Sequence, residues 1–266
     1  TRQDDQMIEV KGPSISVAYD ANGNPSKAAL KFAEKVGVPV QDLEQVNTDK
    51  GKFLNYRALV AGVETSSLLP AIVECAISNL PIAKRMRWGD KRMEFVRPVK
   101  WLVMMFGDDV IDGEILGLKA GRITYGHRFH SPKPITLSNV TDYESALSEA
   151  YVIADFNKRK LAIEAKVQIL ANQENGKALI PAALLDEVTG LVEYPVPLVC
   201  SFEERFLHVP QEALISTMQD NQKYFCLVDA KGKLLPRFIT VANIQSSNSK
   251  FIVEGNEKVV RPRLTD

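Results

Sequence analysis

Cysteine, histidine and net charge are all scarce in this chain of 266 residues. Its three cysteines, Cys75, Cys200 and Cys226, stand far apart and form no Cys-x-x-Cys pair. That spacing argues against a disulfide framework and a zinc knuckle, and it favours reduced thiols in a cytoplasmic protein. No apolar run approaches the roughly 20 residues of a membrane span. The first residues, TRQDDQMIEV, are polar and acidic, unlike a secretory signal. There is no initiator Met and the chain stops abruptly at VVRPRLTD, so the expectation is a piece of a longer protein. The sequence also lacks the GxxxxGK[ST], GxGxxG and GxSxG patterns, leaving no recognisable nucleotide loop or serine elbow. With 33 basic and 33 acidic residues the formal charge is zero, which argues against a simple, dedicated nucleic-acid binder.

What is present is ordinary globular material: 45% hydrophobic and 25% charged residues, enough chain for one large domain or two small ones. In SVAYDANGNPSKAALKFAEKVGV, Ser26 is positioned to cap a helix, Gly37 to end it, and Ala29, Leu30, Phe32, Ala33 and Val36 to form its apolar face. Thr48-Asp49-Lys50-Gly51 reads as a hairpin turn. TSSLLPAIVECAISNLP follows as a helix with an apolar face at Leu68, Leu69, Ile72, Val73, Ala76 and Ile77. From Pro81 the texture changes. VKWLVMMFGDDVIDGEILGL reads as strand, turn and strand, and GRITYGHRFH extends the sheet. TDYESALSEA and DFNKRKLAIEAKVQILANQ read as helices, the second capped by Asp155. VPLVCSF reads as a buried strand. Pro210 stands near a helix start, where its missing N–H costs little. KYFCLVDAKGKLLPRFITVANI gives two strands around a second hairpin, Asp229 to Gly232. Strands and helices alternate without a strict rhythm, so the expected class is α+β with mainly antiparallel sheets and packed helices. The boundary is expected near residue 80, dividing a small N-terminal α/β region, 1–80, from a module over 81–266.

Three stretches carry candidate chemistry. From Lys84 to Lys133 there are 11 Lys or Arg against 6 Asp or Glu, a local excess of five positive charges. Within AKRMRWGDKRMEFVRPVKW, Lys84, Arg85, Arg87, Lys91, Arg92, Arg97 and Lys100 interleave with Trp88, Phe95 and Trp101. Cations beside exposed aromatics suit RNA, because phosphates need charge and unstacked bases need π-faces. The competing reading puts the aromatics in the core and leaves the cations as a solvated face. In TYGHRFH, His127 and His130 flank Arg128, whose guanidinium can fork onto a phosphate or carboxylate. His-x-x-His could hold metal only with a third ligand, which nothing local supplies. His127 as a general acid or base and a plain polar strand end are the other readings. Finally, STMQDNQKYF places Asn221, Gln222 and Lys223 between an apolar helix and an apolar strand. They either line a pocket or tie the helix exit to the strand through amide hydrogen bonds, with Tyr224 anchored by its ring.

The segments MRWGD, RPVKWLVMMFGD, GHRFH, LVEYPVPLVCSFEERFL, LISTMQDNQKYFCLVDAKGKLLPRFITVANI and VEGNEKVVRPRLTD together resemble the β subunit of bacterial heterotetrameric glycyl-tRNA synthetase. The resemblance spans nearly the whole chain, most strongly from Met86 onward. It implies a segment on the N-terminal side of a longer β chain. It further implies glycine-tRNA ligase activity in an α2β2 assembly, with tRNA-Gly and the α subunit as partners. ATP and Mg would act at the α subunit, leaving this segment with no cofactor, no metal and no catalytic residue of its own. The fold implied is like the editing-type module of the phenylalanyl-tRNA synthetase β subunit. Arg85, Arg87, Arg92 and Arg128 then become RNA-contact candidates, and His127, Asn221, Gln222 and Lys223 pocket candidates. A hydrolytic editing module and a purely structural docking module are the rival roles.

Overall fold

The computed structural model describes residues 2–90 and 92–264. Lys91, counted in the basic run, lies outside them. Two compact units emerge: the chain up to Lys84 together with Ile111–Ile115, and Arg85–Val110 together with the chain from Leu116 on. Both mix helices with small sheets, so the class is α+β.

In the first unit, β1 (Gln6–Ser14), β2 (Glu44–Thr48) and β3 (Gly51–Val60) form an antiparallel sheet in the order β1-β3-β2. The β2–β3 hairpin turns where Thr48 pairs with Gly51. Helix α1 (Lys27–Val36) packs on this sheet. Ser26 Oγ accepts from the Ala28 and Ala29 amides, and Gly37 ends the helix in the left-handed region at φ 71°. Its buried face is Ala29, Phe32 and Ala33 against Leu43 and Leu54; Leu30 is half exposed and leaves that face. Helix α2 (Thr65–Ser78) forms over its apolar run, yet none of its residues is fully buried. Leu68, Leu69, Val73 and Ile77 are half-buried and Ile72 is exposed, so its stripe is only partly covered within the described residues.

The second unit is built around a four-stranded antiparallel sheet. Its strands are β4 (Lys177–Ala178), β5 (Val196–Ser201), β6 (Phe225–Val228) and β7 (Leu234–Ala242), in the order β4-β6-β7-β5. The β6–β7 turn is tied by Asp229, whose carboxylate accepts from the Lys231 and Lys233 amides and is held below the usual carboxylate range by them. Phe225, Leu227 and Ile239 pack against Ile163 and Val167 of α3 (Phe156–Gln173) and Leu184 and Val188 of α4 (Ala182–Leu191). Cys226 and Phe238 alternate to the other face, against Leu214, Met218, Tyr224 and Val260. Leu214 belongs to α5 (Gln211–Ser216) and Val260 to α6 (Ser249–Arg263). Both faces are therefore covered, which is why FCLV reads as a continuous apolar run and all four residues are buried. Each such large side chain contributes about 1.5–3 kcal/mol by leaving water. Asp155 caps α3 by accepting from the Lys158 amide at 2.7 Å. VPLVCSF forms β5 at the sheet edge, where Cys200 is buried and the other strand residues are only half-buried.

Between residues 86 and 136 the sheet structure is fragmentary. Met86–Arg87 pairs with Glu94–Phe95, and Met105–Phe106 pairs with Asp109–Val110 across the Gly107-Asp108 turn. Leu102–Val103 pairs with Leu118–Gly121 in parallel, unlike the antiparallel hairpins on either side. Ile123–Tyr125 pairs with Pro134–Thr136. Among the described residues no helix is long and apolar enough to cross a membrane.

Candidate nucleic-acid interface

Short paired strands leave their flanking segments open, and it is on these that a cleft forms. One wall is Phe95, at the end of a short strand, and the irregular stretch after it, Arg97, Pro98, Val99, Lys100 and Trp101; the other is Tyr125, Gly126, Arg128, Ser131 and Pro132. The cavity measures about 700 Å³, within the size range of small-molecule sites. The strand Ile123–Tyr125 alternates exposed, buried, exposed, so Thr124 faces inward and Tyr125 outward. There Tyr125 meets Trp101, ring centroids 4.8 Å apart and planes at 55°. Both rings stay open to solvent, Trp101 at 43% and Tyr125 at 38% exposure.

The turn after Tyr125 is held by the sequence itself. A side chain at Gly126 would place its Cβ 2.3 Å from Ala150 Cβ and 2.6 Å from the Ala150 carbonyl oxygen. Only glycine permits this approach, and the neighbouring His127 amide then donates to that carbonyl at 2.8 Å. His127 is buried at 1% exposure. Its Nδ1 accepts from the Phe129 and His130 amides at 3.3 and 3.2 Å, which assigns the proton to Nε2, donated to the Asn243 carbonyl at 2.6 Å. His130 Nε2 accepts from the Gln245 amide at 3.0 Å. The loop is thus pinned by its histidines, and Arg128 is fixed between them on the cleft side.

The cleft's electrostatics are one-sided. Arg97, Lys100 and Arg128 line it, and among the described residues no carboxylate does. Among the described residues none of these three cations forms an ion pair. Cations left without anionic partners beside open aromatic faces can hold an anion with an attached π-system.

The residues singled out from the sequence do not all gather here. Arg128 lines the cleft; Arg85, Arg87 and Arg92 do not. Arg85 is half-buried, Arg92 is exposed, and Arg87 is exposed with its Nε 2.6 Å from Glu94. Trp88 and Phe95 are half-buried, whereas Trp101 is not a core residue. Of the pocket candidates, His127 lies inside the core with both ring nitrogens engaged, so it presents no free nitrogen for proton transfer. Asn221 is exposed and Gln222 half-buried, and among the described residues neither side chain makes a hydrogen bond. The expected amide ties are therefore absent at these two positions. The backbone takes that role: α5 runs on into a π-turn over Thr217–Asn221, and the Lys223 and Tyr224 amides donate back to the Gln219 and Met218 carbonyls. Lys223 takes the left-handed conformation at φ 61°, the closing geometry of a helix end, and its Nζ lies 2.9 Å from Glu187. Tyr224 is anchored as expected: 4% exposed, stacked on Phe238 at 4.6 Å, its hydroxyl donating to Asn256 Oδ1 at 2.7 Å. Tyr125 was not singled out from the sequence. Its signal was the strand alternation around a buried Thr124, which sends it to the open face.

Comparison with known proteins bears on the whole chain. The family described as "Glycyl-tRNA synthetase beta subunit" matches residues 1–266. A glycine–tRNA ligase β subunit of Pseudomonas savastanoi pv. phaseolicola is 59% identical over 266 residues, covering 100% of this chain and 38% of the relative. The corresponding subunits of Pseudomonas fluorescens and Stutzerimonas stutzeri are 58% and 57% identical over the same span, again 38% of each relative's length.

Proposed function

The chain belongs to the glycyl-tRNA synthetase β-subunit family, and from that membership we propose that it serves glycyl-tRNA formation as a tRNA-holding and assembly segment of that subunit. In this reading it works in the cytoplasm within an α2β2 enzyme. The α subunit carries out ATP- and Mg-dependent glycine activation, and tRNA-Gly is the RNA partner. Residues 81–266 would form a module like the editing-type domain of the phenylalanyl-tRNA synthetase β subunit, preceded by a small region over 1–80. The observation that carries the reading is the cleft lined by Arg97, Lys100 and Arg128, with no carboxylate in its lining among the described residues. Arg85, Arg87 and Arg92 extend the same basic stretch and are the outlying RNA-contact candidates; Arg87 would first have to leave Glu94. The hydrolytic alternative has less behind it. It needs a positioned base, and His127 is fully engaged by backbone partners, while Lys223 is paired with Glu187.

The test is tRNA binding by the full-length enzyme as a function of salt. Replacing Arg97, Lys100 or Arg128 by Ala should weaken binding and flatten the salt dependence by about 0.7–0.9 in slope for each phosphate that is no longer neutralised. Unchanged affinity and slope in all three variants would assign these cations to a solvated surface and remove the support for this reading.

A further inference from the structure

The cations of the cleft account for phosphate, but they do not account for the rings between them. Duplex RNA shows a protein its backbone and 2′-hydroxyls, with base faces hidden in the stack. An exposed aromatic gains little from such a surface. Unpaired nucleotides are different, because every free base has a π-face to lay on a ring and a phosphate on either side. The cleft offers both kinds of group together. Trp101 and Tyr125 meet at a tilt, 4.8 Å between centroids, so neither blocks the other's outer face. Phe129, beside Arg128 and 69% exposed, adds a third open ring on the same turn.

We propose that this cleft binds an unpaired RNA nucleotide, stacking its base on Trp101 while Arg97, Lys100 and Arg128 hold the flanking phosphates. This deepens the tRNA-holding role above and rests on it. The lining also says what the site would not do. Among the described residues no Asn, Gln, Asp or Glu lines the cleft to read adenine or cytosine edges, and the Arg and Lys side chains that could read guanine are the ones assigned to phosphates. Because its contacts are to a base face and to phosphates, the site is selective for single-stranded over paired RNA. An aromatic groove could also take a proline-rich peptide, but three cations without anionic partners among the described residues favour a polyanion.

The experiment uses the full-length enzyme and two probes: a short single-stranded RNA of mixed sequence and a blunt duplex of that sequence. Affinities are measured across a salt series. Wild type is expected to prefer the single strand. Trp101→Ala should weaken single-strand binding on the order of tenfold, the stacking worth of one base, at every salt concentration and with an unchanged slope. Trp101→Phe should recover most of that affinity, and duplex binding should hardly move. Arg128→Ala should instead flatten the slope. That contrast separates stacking from misfolding, which would reduce both terms together. If Trp101→Ala binds the single strand like wild type while Arg128→Ala still flattens the slope, the stacking proposal is wrong and the phosphate-holding role survives. If neither variant changes binding, both fall. Equal affinity of wild type for the two probes, or competition by a proline-rich peptide with no RNA binding, would also overturn the proposal.

Discussion

Asn243 joins segments that are remote in sequence, and its removal gives a local, measurable effect. It follows β7 directly. Its side-chain Oδ1 accepts from the Glu193 amide at 2.8 Å and the Tyr194 amide at 3.0 Å, while its backbone carbonyl accepts from His127 Nε2. Asn243→Ala deletes the shared acceptor and leaves two half-buried N–H groups without a partner. Each such bond is worth about 1 kcal/mol net, so the Glu193–Tyr194 segment should lose about 2 kcal/mol of local stability. At about 1.4 kcal/mol per factor of ten, those two amides should exchange with deuterium roughly 30-fold faster, provided they open locally. Asn243→Asp keeps an oxygen in the acceptor position and should stay within a few-fold of wild type. The His127 amide, bonded to the Ala150 carbonyl, is the internal control. Neither substitution touches the Asn243 backbone carbonyl that holds the His127 ring, so its protection should not change. Hydrogen exchange resolved to single amides decides the matter. Wild-type protection of Glu193 and Tyr194 in the alanine variant, or an equal decrease in both variants, would refute the reasoning.

Two further outcomes follow from packing. Gly126→Ala should destabilise the second unit by a few kcal/mol, since the new methyl meets the Ala150 carbonyl oxygen at 2.6 Å and a well-packed site must shift to admit it; a melting temperature unchanged from wild type would contradict the close approach. Of the three thiols, exposed Cys75 should label readily in the native protein, while Cys200 and Cys226, pushed up to about 12 by burial, should label only on unfolding. The same burial sets a pH dependence. The folded state holds these protons more tightly than the unfolded chain, so the contribution is full below pH 9 and is lost as pH rises from 9 towards about 12. Cys226→Ala should make the alkaline decline in stability shallower, and an unchanged decline would show that the Cys226 thiol does not contribute to it.

Local signals served well wherever one residue decides the local geometry. Ser26, Gly37 and Asp155 act as caps or ends because each supplies its oxygen or its backbone freedom regardless of the rest of the fold. The two hairpins formed for the same reason. The apolar run Phe225–Val228 was legible as a strand, and its lack of period-two alternation fits a strand buried on both faces. What was not legible depends on partners far away in sequence. The apolar periodicity of α2 predicted a buried face, but burial needs a covering surface, which the helix's own sequence does not encode. His127 looked like chemistry because histidine at an exposed strand end often is. Its role became structural only when the Asn243 carbonyl, 116 residues on, arrived at Nε2.

The helix exit at STMQDNQKYF shows the same division within ten residues. Asn221 and Gln222 have the side-chain chemistry to satisfy open carbonyls, and from sequence that chemistry is the natural guess. The backbone pre-empts them. By widening into a π-turn and placing Lys223 at φ 61°, the chain turns the Lys223 and Tyr224 amides back onto the Gln219 and Met218 carbonyls. A non-glycine residue held in the left-handed region costs about 1–2 kcal/mol, so something must offset it. Tyr224 does: its ring is 4% exposed and stacked on Phe238, and its hydroxyl reaches Asn256 on α6. Ring burial of that kind, worth about 1.5–3 kcal/mol, is large enough to offset the strain. The exit geometry is thus set by where Tyr224 must go, and it leaves Asn221 exposed and Gln222 half-buried.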